Sequence, residues 1–458
     1  MIEYSPEGSL QAGYAHHTIW GRFMKGSTPI AADASLKVAI QRRGSFLQSF
    51  GPGLIWAGTA IGVSHLVQST RAGADLGFGL AGVILLALVL KYPFFEFAPR
   101  FAAATGMSLV EGYRHIGRWA LWLYVGMVLS TAVITQTAIV LLTAFLFMYA
   151  FGVAWPAVLA AVLIYTVCGL LLWAGRFRAL DLTIKLMLAG LAISTLIAAT
   201  MVLPRADFST FSLGWPAAGS VSFGFLLALM GWMPSDITAS VFHSIWMVEK
   251  DRSSGVRVSV ATARLDFLVG YLGTGALAFA FVLLGTAVMY GSGVAFSPEG
   301  PAFATQLVDL YAATIGGWIR PVILVLVLTT MFSTALAVLD GFPRVIERAI
   351  NLIRTDDPAL TARSPSGALY WIAFGVLGAS MILVLLFFSG SLTTMIDFAT
   401  TVAFLTGPVF GYLNLRAVTS PEVPEEHRPG VVLRAFSYAG LLLLSVIAVA
   451  FLLSMVTG

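Results

Sequence analysis

Gly62-Val63-Ser64-His65 and Gly231-Trp232-Met233-Pro234-Ser235-Asp236 interrupt two long apolar stretches, 51–74 and about 220–247. A hydrophobic helix that pauses at Gly or Pro beside polar residues leaves backbone amides and carbonyls without partners. Lipid supplies none, so such a break persists only where it faces protein or a solvated cavity. One break opens each half of a chain made of many apolar segments. That arrangement points to a binding site near the middle of a membrane, reached from its two sides in turn. The expectation is a protein that moves a small solute across a bilayer.

Composition agrees. Of 458 residues, 58% are hydrophobic and only 10% charged, and mean hydropathy is +0.90; a soluble chain would carry about 25% charged residues. The net charge of +4 is read through membrane topology, so no nucleic acid is expected as a partner. The partners implied are the lipid bilayer and a small ion or solute. The single cysteine, Cys168, lies in an apolar run and has no second cysteine to bond; it reads as a small buried hydrophobe. Residues 1–48 are polar and Gly-rich, without the apolar run of a signal peptide. They read as a mobile cytoplasmic tail whose Arg42-Arg43 pair orients the first helix.

Eleven apolar segments approach or exceed the roughly 20 residues a membrane crossing needs. They are 51–74, 77–99, 118–150, 154–174, 179–203, 218–247, 261–290, 316–342, 366–389, 391–415 and 431–456, with a tight turn at Ser389-Gly390-Ser391. An inside amino terminus puts Arg114 and Arg118, Arg176 and Arg178, and Lys250, Arg252 and Arg257 in cytoplasmic loops. Arg344, Arg348, Arg354, Arg363, Arg416 and Arg428 follow them, leaving Arg71, Arg205 and Arg320 at outer edges. That bias fixes the amino terminus inside and the carboxyl terminus outside. The expected fold is an all-α integral membrane protein of 11 transmembrane helices. Its plan is a LeuT-type 5+5 inverted repeat with helices 1 and 6 broken. Repeat one covers about 49–205, repeat two about 216–416, and 431–456 is an extra helix, so that 49–458 forms one transporter domain. A bacterial inner membrane is the expected location, with a monomer preferred over an oligomer.

Several short motifs then resemble one family. Gly51-Pro52-Gly53, Arg71-Ala72-Gly73-Ala74 and Gly77-Phe78 are similar to the entry helix of NRAMP metal transporters. Thr105-Gly106, Leu339-Asp340-Gly341-Phe342 and Met233-Pro234 resemble later parts of it. The resemblance implies a divalent metal as cargo, moved into the cytoplasm by alternating access with possible proton symport. The departures are as informative. Where the family has Asp-Pro-Gly-Asn, this chain has Gly62-Val63-Ser64-His65, and the family's Met-Pro-His becomes Met233-Pro234-Ser235. Met230 stands where the family offers a small residue's carbonyl. The methionine is kept and the metal-binding aspartate is lost, so metal specificity is not simply carried over.

The residues at these positions define the candidate site: Gly62, Ser64, His65, Met230, Trp232, Met233, Ser235 and Asp236. A dication stripped of some water wants a carboxylate, and Asp236 is the one nearby. His65, Met233 and Asp236 form the candidate metal set, a mixture that suits a transition metal; a hydrated Mg²⁺ held through waters is the alternative. Asp236 equally suits capping the second half of its broken helix, and the two methionines equally suit packing. Proton-relay candidates are His65, Asp236 and His243, the last two lying on one face if the helix between them is regular. Glu96 and Arg100, and Asp181 and Lys185, have i,i+4 spacing for pairing. Lys91 and Asp266 are further ionisable groups within apolar segments, while Asp397 and Gln136, each among threonines, border a conceivable path. Trp56 and Trp232 suggest a second reading, an organic solute held by cation–π attraction. No resident cofactor is expected. No nucleotide loop, no H-E-x-x-H and no His/Cys cluster is present, so an enzyme is not expected.

Overall fold

The computed structural model describes residues 52–175, 177–217, 219–255, 257–355, 367–387 and 391–457, with the side chains at 54, 55, 177–185 and 253 outside that description. The expected tail, Arg176, Arg178, Arg363, the Asp181–Lys185 pairing and most of the Ser389-Gly390-Ser391 turn lie outside it as well.

Among the described residues all regular structure is helical. The first interrupted stretch folds as α1 (Pro52–Ala60), a gap at Ile61-Gly62, a π-helical turn (Ser64–Ser69) and α2 (Thr70–Leu76). Pro52 opens α1 where its missing N–H would have had no partner. Asp266 Oδ2 accepts the next N–H, that of Gly53, at 2.7 Å. Then come α3 (Ala81–Thr105), α4 (Leu109–Ile116), α5 (Arg118–Phe151), α6 (Ala157–Trp173) and α7 (Phe177–Val202). The second interrupted stretch is α8 (Phe223–Gly231) and α9 (Ala239–Ser254), with 232–238 non-helical between them. Ser222 Oγ caps α8 by accepting the Phe225 N–H at 3.1 Å. The rest is α10 (Val260–Val288), α11 (Gly300–Ile315), α12 (Arg320–Arg354), α13 (Ala368–Phe387), α14 (Leu392–Val418) and α15 (Val431–Thr457).

Eight of these helices are long and apolar enough to cross a membrane. The other three expected segments are α6, an apolar helix of 17 residues, and the two interrupted stretches. Two features depart from the reading of the sequence. The 16-residue α11 occupies what reads as a loop, because its buried Phe303, Leu307 and Tyr311 alternate with polar Gln306 and Asp309 and hydropathy averages them away. And α12 runs on from 342 to Arg354, through charged residues that no apolar window captures.

Burial separates the middle of the bundle from its rim. The apolar window of α3 is 78% buried and that of α15 only 22%, so α3 is central and α15 offers its apolar side outward, where lipid is the fitting solvent. The interrupted helices pack on continuous ones: α1 and α2 on α10, α8 on α14, α9 on α3. Glycine permits the closest approaches. A Cβ on Gly73 would lie 2.1 Å from the Val282 carbonyl oxygen, and one on Gly285 2.2 Å from that of Thr70. The backbones of α2 and α10 touch there, as small residues allow between membrane helices. At Gly231 a Cβ would sit 1.8 Å from the Thr400 carbonyl oxygen, which ends α8 against α14.

Candidate functional site

The two breaks face each other across a small cavity. It holds about 50 Å³ and is lined by Thr59 and Ser64 from the first stretch and by Trp232, Ser235 and Asp236 from the second. Thr238 of the second break, Thr135 on α5 and Thr334 on α12 complete its polar residues, and apolar residues including Val338 and Phe342 close the rest. On this measure a water needs about 10–15 Å³, so there is room for about four. Ser64 links the two breaks: its hydroxyl reaches the Ala60 carbonyl at 2.8 Å and the Pro234 carbonyl at 3.3 Å.

Asp236 lines the cavity and makes one local hydrogen bond. Its Oδ1 accepts the Thr238 N–H at 3.0 Å in a local turn two residues on. The capping position of α9 is Thr238 and takes no side-chain bond, so the expected cap is not formed. Its Oδ2 is buried and without a hydrogen-bond partner. Trp232 is 5% exposed, and its Nε1 is likewise buried and unpartnered.

Other expected members are not brought together with these. His65 is fully buried but turned toward α10, where Nε2 lies 2.9 Å from the Thr274 carbonyl oxygen. A carbonyl only accepts, so that nitrogen carries its hydrogen and has no lone pair for a metal. Nδ1 is enclosed by the Ser64 hydroxyl at 2.7 Å and the Ala60 carbonyl at 3.0 Å. The geometry therefore departs from the expectation of an imidazole ligand facing the cavity. Met230 and Met233 are fully buried in the apolar core, and neither lines the cavity. Gly62 lies at its edge, since a Cβ there would meet Thr334 Cγ2 at 3.1 Å and Oγ1 at 3.2 Å. Among the described residues no three His, Cys, Asp or Glu side chains converge as a metal cluster.

The Asp236–His243 relay also departs from expectation. Asp236 sits in the break and α9 begins only at Ala239, so no regular helix connects the two and the seven-residue spacing loses its meaning. His243 instead stacks on Trp56, ring centroids 6.3 Å apart at 22°, beside Phe267. Neither of its ring nitrogens has a hydrogen-bond partner.

Lys91 is an ionisable residue within an apolar helix whose sequence position alone assigns it no role. It reaches from α3 to the second break, where Nζ donates to the carbonyl oxygens of Met230 (3.0 Å), Gly231 (2.8 Å) and Ser235 (2.8 Å). The residue is 2% exposed, and the Ser235 carbonyl it holds immediately precedes Asp236 in the chain. A lysine inside an apolar helix is costly enough to be a functional pointer in itself, and that was the available signal.

Polar clusters close the bundle on either side of the cavity. Beyond the first break, Arg71 pairs with Asp397 at 2.7 Å, while Gln68 Nε2 donates to Asp397 at 2.9 Å and to Thr400 at 3.3 Å. At the other end Glu96 accepts from Arg100 at 2.7 Å, as its i,i+4 spacing foretells, and also pairs with Arg264 at 2.5 Å. Glu111 there pairs with Arg348, and Arg344 joins Asp340 and Glu249, each at 2.7 Å. Gln136 turns away from the cavity to donate to the Leu377 carbonyl at 2.7 Å.

A bundle of long apolar helices, with two interrupted ones meeting at a small cavity that holds a few polar groups, is the architecture of a LeuT-type membrane transporter. The chain belongs to the Nramp family: the model for natural resistance-associated macrophage protein-like proteins matches residues 53–454. It is 33% identical over 412 residues to an uncharacterised protein of Pasteurella multocida (strain Pm70), covering 88% of this chain and 92% of that one. Its fold is similar to that of a manganese transporter from Eremococcus coleocola, with a TM-score of 0.68 at 15% identity over 88% of this chain and 86% of the other. It is also similar to Mhp1, a nucleobase-cation-symport-1 family transporter with bromovinylhydantoin bound, with a TM-score of 0.55 at 16% identity over 87% and 91%. The protein is an integral membrane transporter and not an enzyme.

Proposed function

We propose that this protein is a secondary transporter of a divalent metal cation, carried into the cytoplasm by alternating access in symport with protons. The observation that carries the reading is the unpartnered Oδ2 of Asp236 in the cavity wall. Around it the hydroxyl-bearing residues of the lining are Thr59, Ser64, Thr135, Ser235, Thr238 and Thr334, the Trp232 indole is the other polar side chain, and no methionine or histidine is among them. Oxygen donors and space for about four waters suit a hard dication that keeps part of its hydration shell, Mn²⁺ or Mg²⁺, better than a soft ion bound by sulfur. Kinship with a manganese transporter fold supports the same class of cargo. The charge bias of the loops supports a cytoplasmic amino terminus, with 1–48 as a tail, 49–458 as the transporter body and a bacterial inner membrane as the setting.

Uptake into proteoliposomes holding a metal-sensitive dye tests this, with separate Mn²⁺ and Mg²⁺ gradients and with or without an inward proton gradient. Saturable uptake that is lost in Asp236→Asn, in protein shown to be folded, supports the proposal. Absence of uptake of either ion by the folded wild type sinks it. The second reading, an organic solute, rests on the Trp232 indole in the cavity wall. It requires a cavity larger than this one, and it is supported if Trp232→Ala, rather than Asp236→Asn, abolishes binding.

A further inference from the structure

We propose that the carbonyls of Met230, Gly231 and Ser235 form a monovalent-cation site, and that Lys91 fills it permanently with its own ammonium. The unwound part of the second interrupted helix would then be held by a tethered ion instead of a dissolved one.

The geometry is that of a satisfied cation. An ammonium has three N–H donors and no acceptor, and three carbonyl oxygens meet them at 2.8–3.0 Å. Met230 and Gly231 are the last residues of α8. Pro234 cannot give Met230 its i+4 donor, so its carbonyl takes a tighter bond from the Met233 N–H at 3.3 Å instead, and helix-end carbonyls of this kind gather negative charge. Ser235 brings a third carbonyl from across the gap, so the cation bridges the two ends of the break. Asp236, the next residue in the chain, places a carboxyl beside the third of these carbonyls. The lysine stem arrives through the buried face of α3, passing Phe95, whose ring centroid is 5.9 Å from Nζ. Oxygens at 2.8–3.0 Å from the charge are too distant for Mg²⁺, which takes about 2.0–2.1 Å, or Ca²⁺, which takes about 2.3–2.6 Å. The ring as built fits ammonium or an ion of similar girth such as K⁺. The inference does not depend on which cargo crosses the membrane.

The test is whether a dissolved cation replaces the side chain. Purified wild type, Lys91→Ala and Lys91→Met are melted in matched concentrations of methylammonium, K⁺ and N-methylglucamine chloride. Wild type should melt at one temperature in all three. Lys91→Ala, with the space vacated, should melt lowest in N-methylglucamine and several degrees higher with methylammonium or K⁺, since a ligand of the folded state raises its stability. Lys91→Met fills the space without a charge and should stay low in every salt. A Lys91→Ala protein whose melting temperature is the same in all three salts overturns the proposal. If Lys91→Ala cannot be purified, its folded yield is compared in cells grown with and without methylammonium. A raised yield supports the site, and an unchanged yield overturns it. No readout requires transport, so failure here is separable from failure of the cargo assignment.

Discussion

Arg71 and Asp397 form a two-pronged ion pair, Nη1 to Oδ1 at 2.7 Å and Nη2 to Oδ2 at 3.2 Å, that ties α2 to α14. The same guanidinium lies over the Phe225 ring, 4.8 Å from its centroid, so α8 is drawn in too. Both interrupted stretches are thus latched to a continuous helix on one side of the cavity. Asp397→Asn keeps the shape and removes the charge. A part-exposed pair contributes about 1 kcal/mol, so the population open on this side should rise roughly fivefold. The check is the labelling rate of Thr59→Cys by an impermeant maleimide, with and without Asp397→Asn; native Cys168 is fully buried and stays silent. Equal rates would mean that the pair does not latch this side.

Lys91 and Asp236 should prove energetically coupled. Removing either charge leaves the other buried and uncompensated, which is worse than removing both. In a double-mutant cycle of Lys91→Met and Asp236→Asn, the double variant should be more stable than the sum of the singles predicts, by about 1–3 kcal/mol. Chemical unfolding in detergent measures it, and additive effects would show that the two charges do not sense one another.

Gly62→Asp should strengthen dication binding. A side chain at 62 points at Thr334 on the cavity wall and needs only a few tenths of an ångström of give there. A second carboxylate would leave the site with a net negative charge that Lys91 no longer cancels. Mn²⁺ affinity by calorimetry should rise about tenfold, equivalent to about 1.4 kcal/mol. Unchanged affinity in a folded variant would place the 62 side chain outside the binding region.

Two glycines of α10 should respond oppositely to alanine. Gly285→Ala drives a methyl to within 2.2 Å of the Thr70 carbonyl oxygen and must push α2 away, a cost of about 1–3 kcal/mol or more. Gly273 has nothing within 4 Å of its would-be Cβ, so Gly273→Ala should be neutral or stabilising by up to about 1 kcal/mol through helix propensity. Thermal melts of the two variants side by side decide the matter.

The two breaks were legible in the sequence because Gly62, Gly231 and Pro234 stand beside polar residues in runs that are otherwise apolar. Their meeting at one cavity, with Asp236 in its lining, follows the same logic. What sequence could not supply was side-chain direction. His65 is one residue from a cavity-lining serine, yet a π-helical turn aims it at Thr274. Met233 has a ligand's chemistry and a core residue's surroundings. The seven-residue spacing of Asp236 and His243 assumes a helical phase that the break abolishes. Lys91 meets carbonyls 139 to 144 positions away in the chain, a relation no local pattern encodes.

The length of α12 has a mechanical consequence. Its 35 residues extend about 52 Å at 1.5 Å per residue, well beyond a hydrocarbon core of about 30 Å. Thr334 touches the cavity, and the chain then runs unbroken to Arg354, about 30 Å further on, through the residues paired with Glu111 and Glu249. Were this stretch to tilt as one rigid rod about Thr334, about 10° would sweep its far tip roughly 5 Å, one helical pitch. On that geometry a disturbance the size of a single ion would reach the scale on which whole ion pairs part and re-form.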